Sequence, residues 1–196
     1  TIAAAPTTSN IEILNLYDED TNFTATSTFA GVNTMNFIRG DGIVDYTVGN
    51  AVTTVGLQDI VIAGTGGDDG IGVTYGAATT SGTLNLTAVS TAGNDADEDI
   101  TVAGTKLTSL TVNVLSASST DNFTAGSVTS LTIDATGNFT PGVLSTGAGA
   151  ASTLTLKGAG KITVGVLDND FTTVDGTGSS GGLVVTSATE IGRAHV

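Results

Sequence analysis

Apolar and polar residues alternate in short runs along most of this chain. In Leu110-Thr-Val112-Asn-Val114 and Leu131-Thr-Ile133-Asp-Ala135 every second residue is apolar, which is the period of a strand with one buried face. Shorter runs of the same kind are Met35/Phe37, Val44/Tyr46/Val48, Ile60/Ile62, Val73/Tyr75, Leu84/Leu86 and Ile100/Val102. Gly, Asn, Asp or Ser stands between most of them, residues that tolerate turn geometry. Helical spacing is absent, so the pattern predicts an all-β chain.

The runs also repeat. Leu107-Thr-Ser-Leu110-Thr-Val112, Val128-Thr-Ser-Leu131-Thr-Ile133 and Ala151-Ser-Thr-Leu154-Thr-Leu156 are copies of one phrase. A second phrase interleaves with it, as Asn122-Phe-Thr-Ala-Gly126, Asn138-Phe-Thr-Pro-Gly142 and the looser Lys161-Ile-Thr-Val-Gly165. Self-similarity at a period of roughly 20 to 23 residues is the mark of a solenoid, here with two strands per unit. One such unit cannot bury its own apolar face, so units must stack row on row. The expected fold is a right-handed or irregular β-solenoid, parallel β-helix-like. A two-sheet β-sandwich is the alternative, since many short strands also suit it.

Threonine makes up about a fifth of the 196 residues; its branched β-carbon favours extended backbone while its hydroxyl stays wet. A chain of this length holds one substantial domain, or about eight turns of solenoid. The expected organisation is a frayed lead-in over 1–10, one solenoid domain over 11–189 and a tail over 190–196. The domain reads as a fragment of a longer protein. The tail breaks the Thr/Gly/Val texture, and Ile191-Gly-Arg-Ala-His-Val196 looks like a translated sequencing adapter, to be kept out of fold reasoning. His195, the only histidine, is therefore not offered as a functional residue.

Charge narrows the function. Nineteen acidic residues against five Lys and Arg leave a formal net charge of −14, a field that repels phosphate backbones and argues against nucleic-acid binding. No run of about 18 apolar residues is present, so no membrane span is expected. Cysteine is absent, which removes disulfides and thiol chemistry. Without Cys, Trp or a usable His, nucleophilic triads and imidazole metal sites cannot be assembled. Glycoside hydrolysis would need two positioned acids in an aromatic-lined groove, and the aromatic residues here are spread singly. The expectation is a chain that is not an enzyme.

The acids cluster between strands, where carboxylates in Gly-rich turns offer the oxygen ligands that hard cations prefer. The strongest candidate is Asn94, Asp95, Asp97 and Asp99, whose alternate positions converge if the segment curls and share one face if it stays extended. Asp68 with Asp69, and Asp168 with Asp170, are further metal candidates; Tyr17-Asp-Glu-Asp20 is similar. Calcium is the cation such sites would hold. The plainer reading of each segment is a solvated acidic turn. Arg39-Gly40-Asp41 spells an integrin-recognition tripeptide, and Asn22, Asn85, Asn122 and Asn138 each open an Asn-x-Thr glycosylation sequence. Chance and the repeat account for both without function.

At its repeats the chain resembles the Thr/Gly/Asn-rich β-solenoid regions of bacterial surface-layer proteins and of the RTX-type exported proteins and adhesins related to them. Asn10-Ile-Glu-Ile-Leu-Asn-Leu16, the three Leu-Thr phrases and the Asn-Phe-Thr segments carry the likeness, which spans about 10 to 188. The family's calcium repeat, Gly-Gly-x-Gly-x-Asp, has no clean copy; Gly64 to Gly72 and Ala92 to Ile100 share its glycines and acids but not its register. The resemblance implies a non-catalytic structural segment of a secreted or cell-surface adhesin, calcium-stabilised, with other copies of itself or surface polysaccharide as partners. The alternative is a polysaccharide-binding or lyase-like β-helix, which needs exposed aromatics, with Tyr46 and Tyr75 the candidates.

Overall fold

The computed structural model describes residues 11–17, 22–24, 29, 31–40, 44–62, 70–91, 98–146, 152–188 and 194–195. The strands among them are β1 (Ile13–Tyr17), β2 (Phe23–Thr24), β3 (Thr34–Ile38), β4 (Val44–Thr47), β5 (Thr54–Gln58), β6 (Ile71–Thr74), β7 (Ser81–Thr87), β8 (Ile100–Ala103) and β9 (Ser109–Val114). There follow β10 (Ser118–Ala125), β11 (Ser130–Ala135), β12 (Phe139–Ser145), β13 (Ser152–Gly158), β14 (Ile162–Leu167), β15 (Phe171–Ser179), β16 (Leu183–Ala188) and β17 (Ala194–His195). No described helix is long and apolar enough to cross a membrane.

Odd-numbered strands form one sheet and even-numbered strands the other, each in sequence order. Every strand pairs in parallel with the strand two places on, as in β9 with β11 and β10 with β12. The chain therefore winds, laying one strand in each sheet per coil. This is the expected β-solenoid with two strands per unit. The sandwich alternative is excluded, because a Greek-key sandwich is built from antiparallel neighbours.

Parallel register stacks like on like. In the odd sheet Leu14, Met35, Val55, Leu84, Val112, Ile133 and Leu156 form one inward column, each beside the next. In the even sheet Val44, Ile71, Ile100, Phe123, Leu144 and Leu167 do the same. Nearly all are fully buried in one continuous core, and each large aliphatic side chain contributes on the order of 1.5–3 kcal/mol by leaving water. The first coils use aromatics instead, with Phe37 stacked on Tyr46 at 3.7 Å and Phe23 edge-on to Phe37 at 5.5 Å.

A recurring turn closes five of the described coils. The fourth residue's N–H donates to the first residue's carbonyl in Gly49 to Val52, Gly76 to Thr79, Gly104 to Leu107, Ala125 to Val128 and Asp168 to Phe171. That fourth residue is buried in every case, so the turn both reverses the chain and adds to the core.

The coil length is less uniform than the repeats suggest. Ser109 lies beside Ser130, a spacing within the expected period, but the bridge from Ser90 to Ser119 spans 29 residues and the Asn85 to Asn113 contact spans 28. The added length falls at one corner. Val61, Ser90 and Ser119 are bridged in register, and Ile71, Ile100 and Phe123 are in register again beyond it. Segments 63–69 and 92–97, outside the described residues, connect these two aligned sets. In β10 the same corner is a short bend. Ser118 and Thr120 face inward, then Phe123 and Ala125, with Asp121 and Asn122 together between them. One coil later Gly142 takes this place, where a Cβ would overlap the Asp121 carbonyl oxygen, and next Gly165, where it would overlap that of Gly142. Asn138-Phe-Thr-Pro-Gly142 and Lys161-Ile-Thr-Val-Gly165 thus stack, Phe139 beside Ile162, and bend at their glycines, whereas Asn122-Phe-Thr-Ala-Gly126 lies out of that register, with Phe139 beside Ser118 and Phe123 beside Leu144, a shift that the repeat alone did not reveal.

Candidate functional site

Of the expected metal ligands, Asp68, Asp69, Asn94, Asp95 and Asp97 lie outside the described residues, as do the acids of Tyr17-Asp-Glu-Asp20. Asp99, Asp168 and Asp170 are described, and the fold does not unite them. Asp99 precedes β8 at the variable corner. Asp168 and Asp170 sit between β14 and β15, in the coil-closing turn.

The corner holding Asp99 is a built polar site. Asn122 Nδ2 donates to Asp99 Oδ1 at 2.5 Å, tying one coil to the next, and the Asp99 carbonyl receives Ile71 N–H at 2.8 Å from the coil before. Beside it Glu98 is fully buried. The Glu98 carbonyl lies 2.7 Å from Thr91 Oγ1 and 3.2 Å from Thr120 Oγ1, and these two hydroxyls are 2.8 Å apart. Thr91 and Thr120 are almost wholly buried, so their hydroxyls must pair within the protein, and they anchor the two ends of segment 92–97. Among the described residues no group of three or more His, Asp or Glu side chains is gathered to hold a metal.

Asp168-Asn169-Asp170 has a local explanation. Its backbone makes the contacts its place demands: Asp168 N–H donates to Leu144 O at 3.1 Å, and Asp170 O accepts from Ser152 N–H at 2.9 Å. These residues occupy the position that Gly49, Gly76 and Gly104 begin in earlier coils, and Asp and Asn suit such a turn.

Arg39 also belongs to a column. It has φ 63, and Asp59 (φ 52) and Ala88 (φ 54) leave β5 and β7 in the same left-handed way. Arg39 N–H donates to Gln58 O and Asp59 N–H to Thr87 O, both at 2.9 Å. The Arg-Gly pair thus stands at a structural corner shared by three coils, with Asp41 outside the described residues. The Asn-x-Thr sites divide similarly. Asn22 and Asn138 are exposed, and each accepts a backbone N–H from the next coil, Asp45 at 3.0 Å and Lys161 at 3.1 Å. Asn122 is bonded to Asp99, and Asn85 lies in a ladder described next.

Both tyrosines proposed for a glycan groove are inside the core, each 1% exposed. Tyr75 Oη donates to Thr83 O at 2.6 Å, and burial pushes its phenol well above the ordinary range, offset in part by a backbone hydrogen bond. Gly82 makes the room, since a Cβ there would come 2.9 Å from the Tyr75 ring. A groove lined by these two rings does not form.

The outward face of the odd sheet carries an arrangement the sequence reading missed. Asn15, Asn36, Gly56, Asn85, Asn113, Asp134 and Lys157 lie in one register row. Asn36 Nδ2 donates to Asn15 Oδ1 at 2.8 Å, and Asn113 Nδ2 to Asn85 Oδ1 at 2.8 Å. Gly56 leaves space that the Asn36 amide fills, because a Cβ there would overlap it. Parallel to this row run Thr34, Thr54, Thr83, Thr111, Thr132 and Thr155. The signal was present as Met35-Asn-Phe37, Leu84-Asn-Leu86 and Val112-Asn-Val114, an amide repeatedly centred on a strand, where Asn is otherwise depleted.

Comparison of the chain with protein-family models, with curated proteins and with solved structures gave no match.

Proposed function

We propose that this chain is a non-catalytic structural segment of a bacterial surface-layer or secreted RTX-like adhesin protein, calcium-stabilised at its acidic edges. The observation that supports this most is the continuous core: the same inward column runs from Leu14 to Leu156 through one buried cluster. A stack of this kind transmits its geometry from each coil to the next, which suits a spacer or lattice element. The surface address and the adhesin type rest on the sequence resemblance. Calcium rests on the charge of −14 and on the acidic segments 63–69 and 92–97, since divalent cations offset mutual repulsion of carboxylates.

Thermal unfolding of the full chain in millimolar calcium and in excess chelator tests the cation. A melting temperature several degrees higher with calcium supports it, and coincident melts remove calcium from the account. An antibody against the chain should label intact source cells; labelling only after permeabilisation would overturn the surface assignment.

A further inference from the structure

We propose that the outward face of the odd sheet, from β3 to β13, is an ice-binding surface whose ligand is the ordered water lattice of a growing ice crystal. Three rows carry it. The threonine row runs Thr34, Thr54, Thr83, Thr111, Thr132 and Thr155, and the amide row runs beside it through Asn36, Asn85 and Asn113. A hydroxyl row, Ser81, Ser109, Ser130 and Thr153, flanks the threonines on the other side. The side chains are half-buried or exposed, never covered.

Geometry makes this a two-dimensional lattice. Paired strands lie ~4.8 Å apart, and alternate residues on one strand ~6.7 Å apart, so hydroxyl and amide groups recur at these two spacings. They are comparable with the oxygen repeats on the prism faces of ice. Threonine is stiff at χ1, and the Asn side chains are held by the Asn36 to Asn15 and Asn113 to Asn85 bonds, both 2.8 Å. An array that does not rearrange orders the water above it at little further entropic cost. Each threonine adds a methyl group, which water must enclose rather than bond.

Charge supplies the second argument. The chain carries −14, yet within these rows the charged groups are Asp134 and Lys157, opposite in sign and adjacent in register. Of the described acids, Asp59, Glu98, Asp99, Asp168 and Asp170 lie between strands, at corners and turns. A neutral face on a strongly acidic body matches a neutral lattice, whereas a cation or a basic protein would be better met elsewhere. The proposal is independent of the parent protein's type.

The test measures thermal hysteresis and inhibition of ice recrystallisation by the full chain, then by Thr111→Tyr, which raises a ring from the middle of the array. Thr140→Tyr, at an exposed position of β12 in the other sheet, is the control. Melting curves verify that each variant is folded. The expected result is measurable hysteresis in the parent chain, lost several-fold in Thr111→Tyr and kept in Thr140→Tyr. Folded parent protein without either activity overturns the proposal, as does an equal loss in both variants. Retention on insoluble polysaccharide that Thr111→Tyr abolishes, without ice activity, would reassign the face to glycan and overturn it too.

Discussion

Asn113 donates from Nδ2 to Oδ1 of Asn85 across 2.8 Å, from one coil to the coil before it, although 28 residues separate them in the chain. The bond exists because Leu84 packs on Val112 and Leu86 on Val114 in register, which leaves the intervening amides aligned on the outer face. Each such amide bond, like that from Asn36 to Asn15, donates back to the coil before and continues the hydrogen-bonded ladder beyond the backbone. Replacing Asn113 with Ala should lower stability by about 1 kcal/mol, the net worth of one such bond, read from urea unfolding. Asn113→Asp should cost more at neutral pH than at acid pH, since it sets a carboxylate beside Asp134.

The corner glycines should be less forgiving. Gly142→Ala places a methyl against the Asp121 carbonyl, which is backbone and cannot swing aside. A loss exceeding about 1 kcal/mol is expected, since an incompatible site costs more than the usual entropy gain returns. Gly49→Ala meets nothing nearby, and it should change the unfolding midpoint little by comparison. Equal effects would mean that the coils do not stack as closely as described.

Burial sorts the leucines. Leu131 is fully buried beside Leu110 and Leu154, and Leu131→Ala should cost about 2–5 kcal/mol through lost transfer energy and the cavity left behind. Leu115 is 54% exposed, so Leu115→Ala should fall within about 0.5 kcal/mol of the parent. Differential scanning calorimetry of the pair measures both.

Tyr75 makes stability depend on pH at the alkaline end. Its phenol is raised by burial, so the folded chain keeps a proton that the unfolded chain releases near its ordinary value of about 10. The contribution is complete below that value and declines as pH rises above it toward the folded pKa. Melting temperature should therefore fall above about pH 10, and Tyr75→Phe should lessen the fall while also losing the hydrogen bond to Thr83. Ultraviolet titration should show a tyrosine that ionises only as the protein unfolds.

Much of the fold was legible because local alternation carries it. Leu110/Val112/Val114 and Leu131/Ile133 face inward as their spacing required, and the three Leu-Thr phrases stack on one another, whereas the Asn122 copy of the second phrase does not stack on the Asn138 copy. The candidate site was less legible. Asp168 and Asp170 have the composition of a ligand pair, but their position is that of the coil-closing turn, which other coils begin with Gly49, Gly76 or Gly104. Tyr46 and Tyr75 were the aromatics that a glycan groove would need exposed, and their alternation with Val44 and Val73 puts them on the buried side.

By itself the sequence determined that the chain is all β, which residues of the regularly alternating strands turn inward, and that similar units must stack, because these follow from a two-residue period and a repeat that cannot bury its own face. The tertiary structure alone decided the register between coils. That register set Asn113 over Asn85, made Gly56 and Gly142 necessary, and brought Thr91, Glu98 and Thr120 into one buried cluster. Such contacts join residues that can stand more than twenty positions apart, and their partners depend on how many residues each corner absorbs, a length that no local pattern of apolar and polar positions encodes.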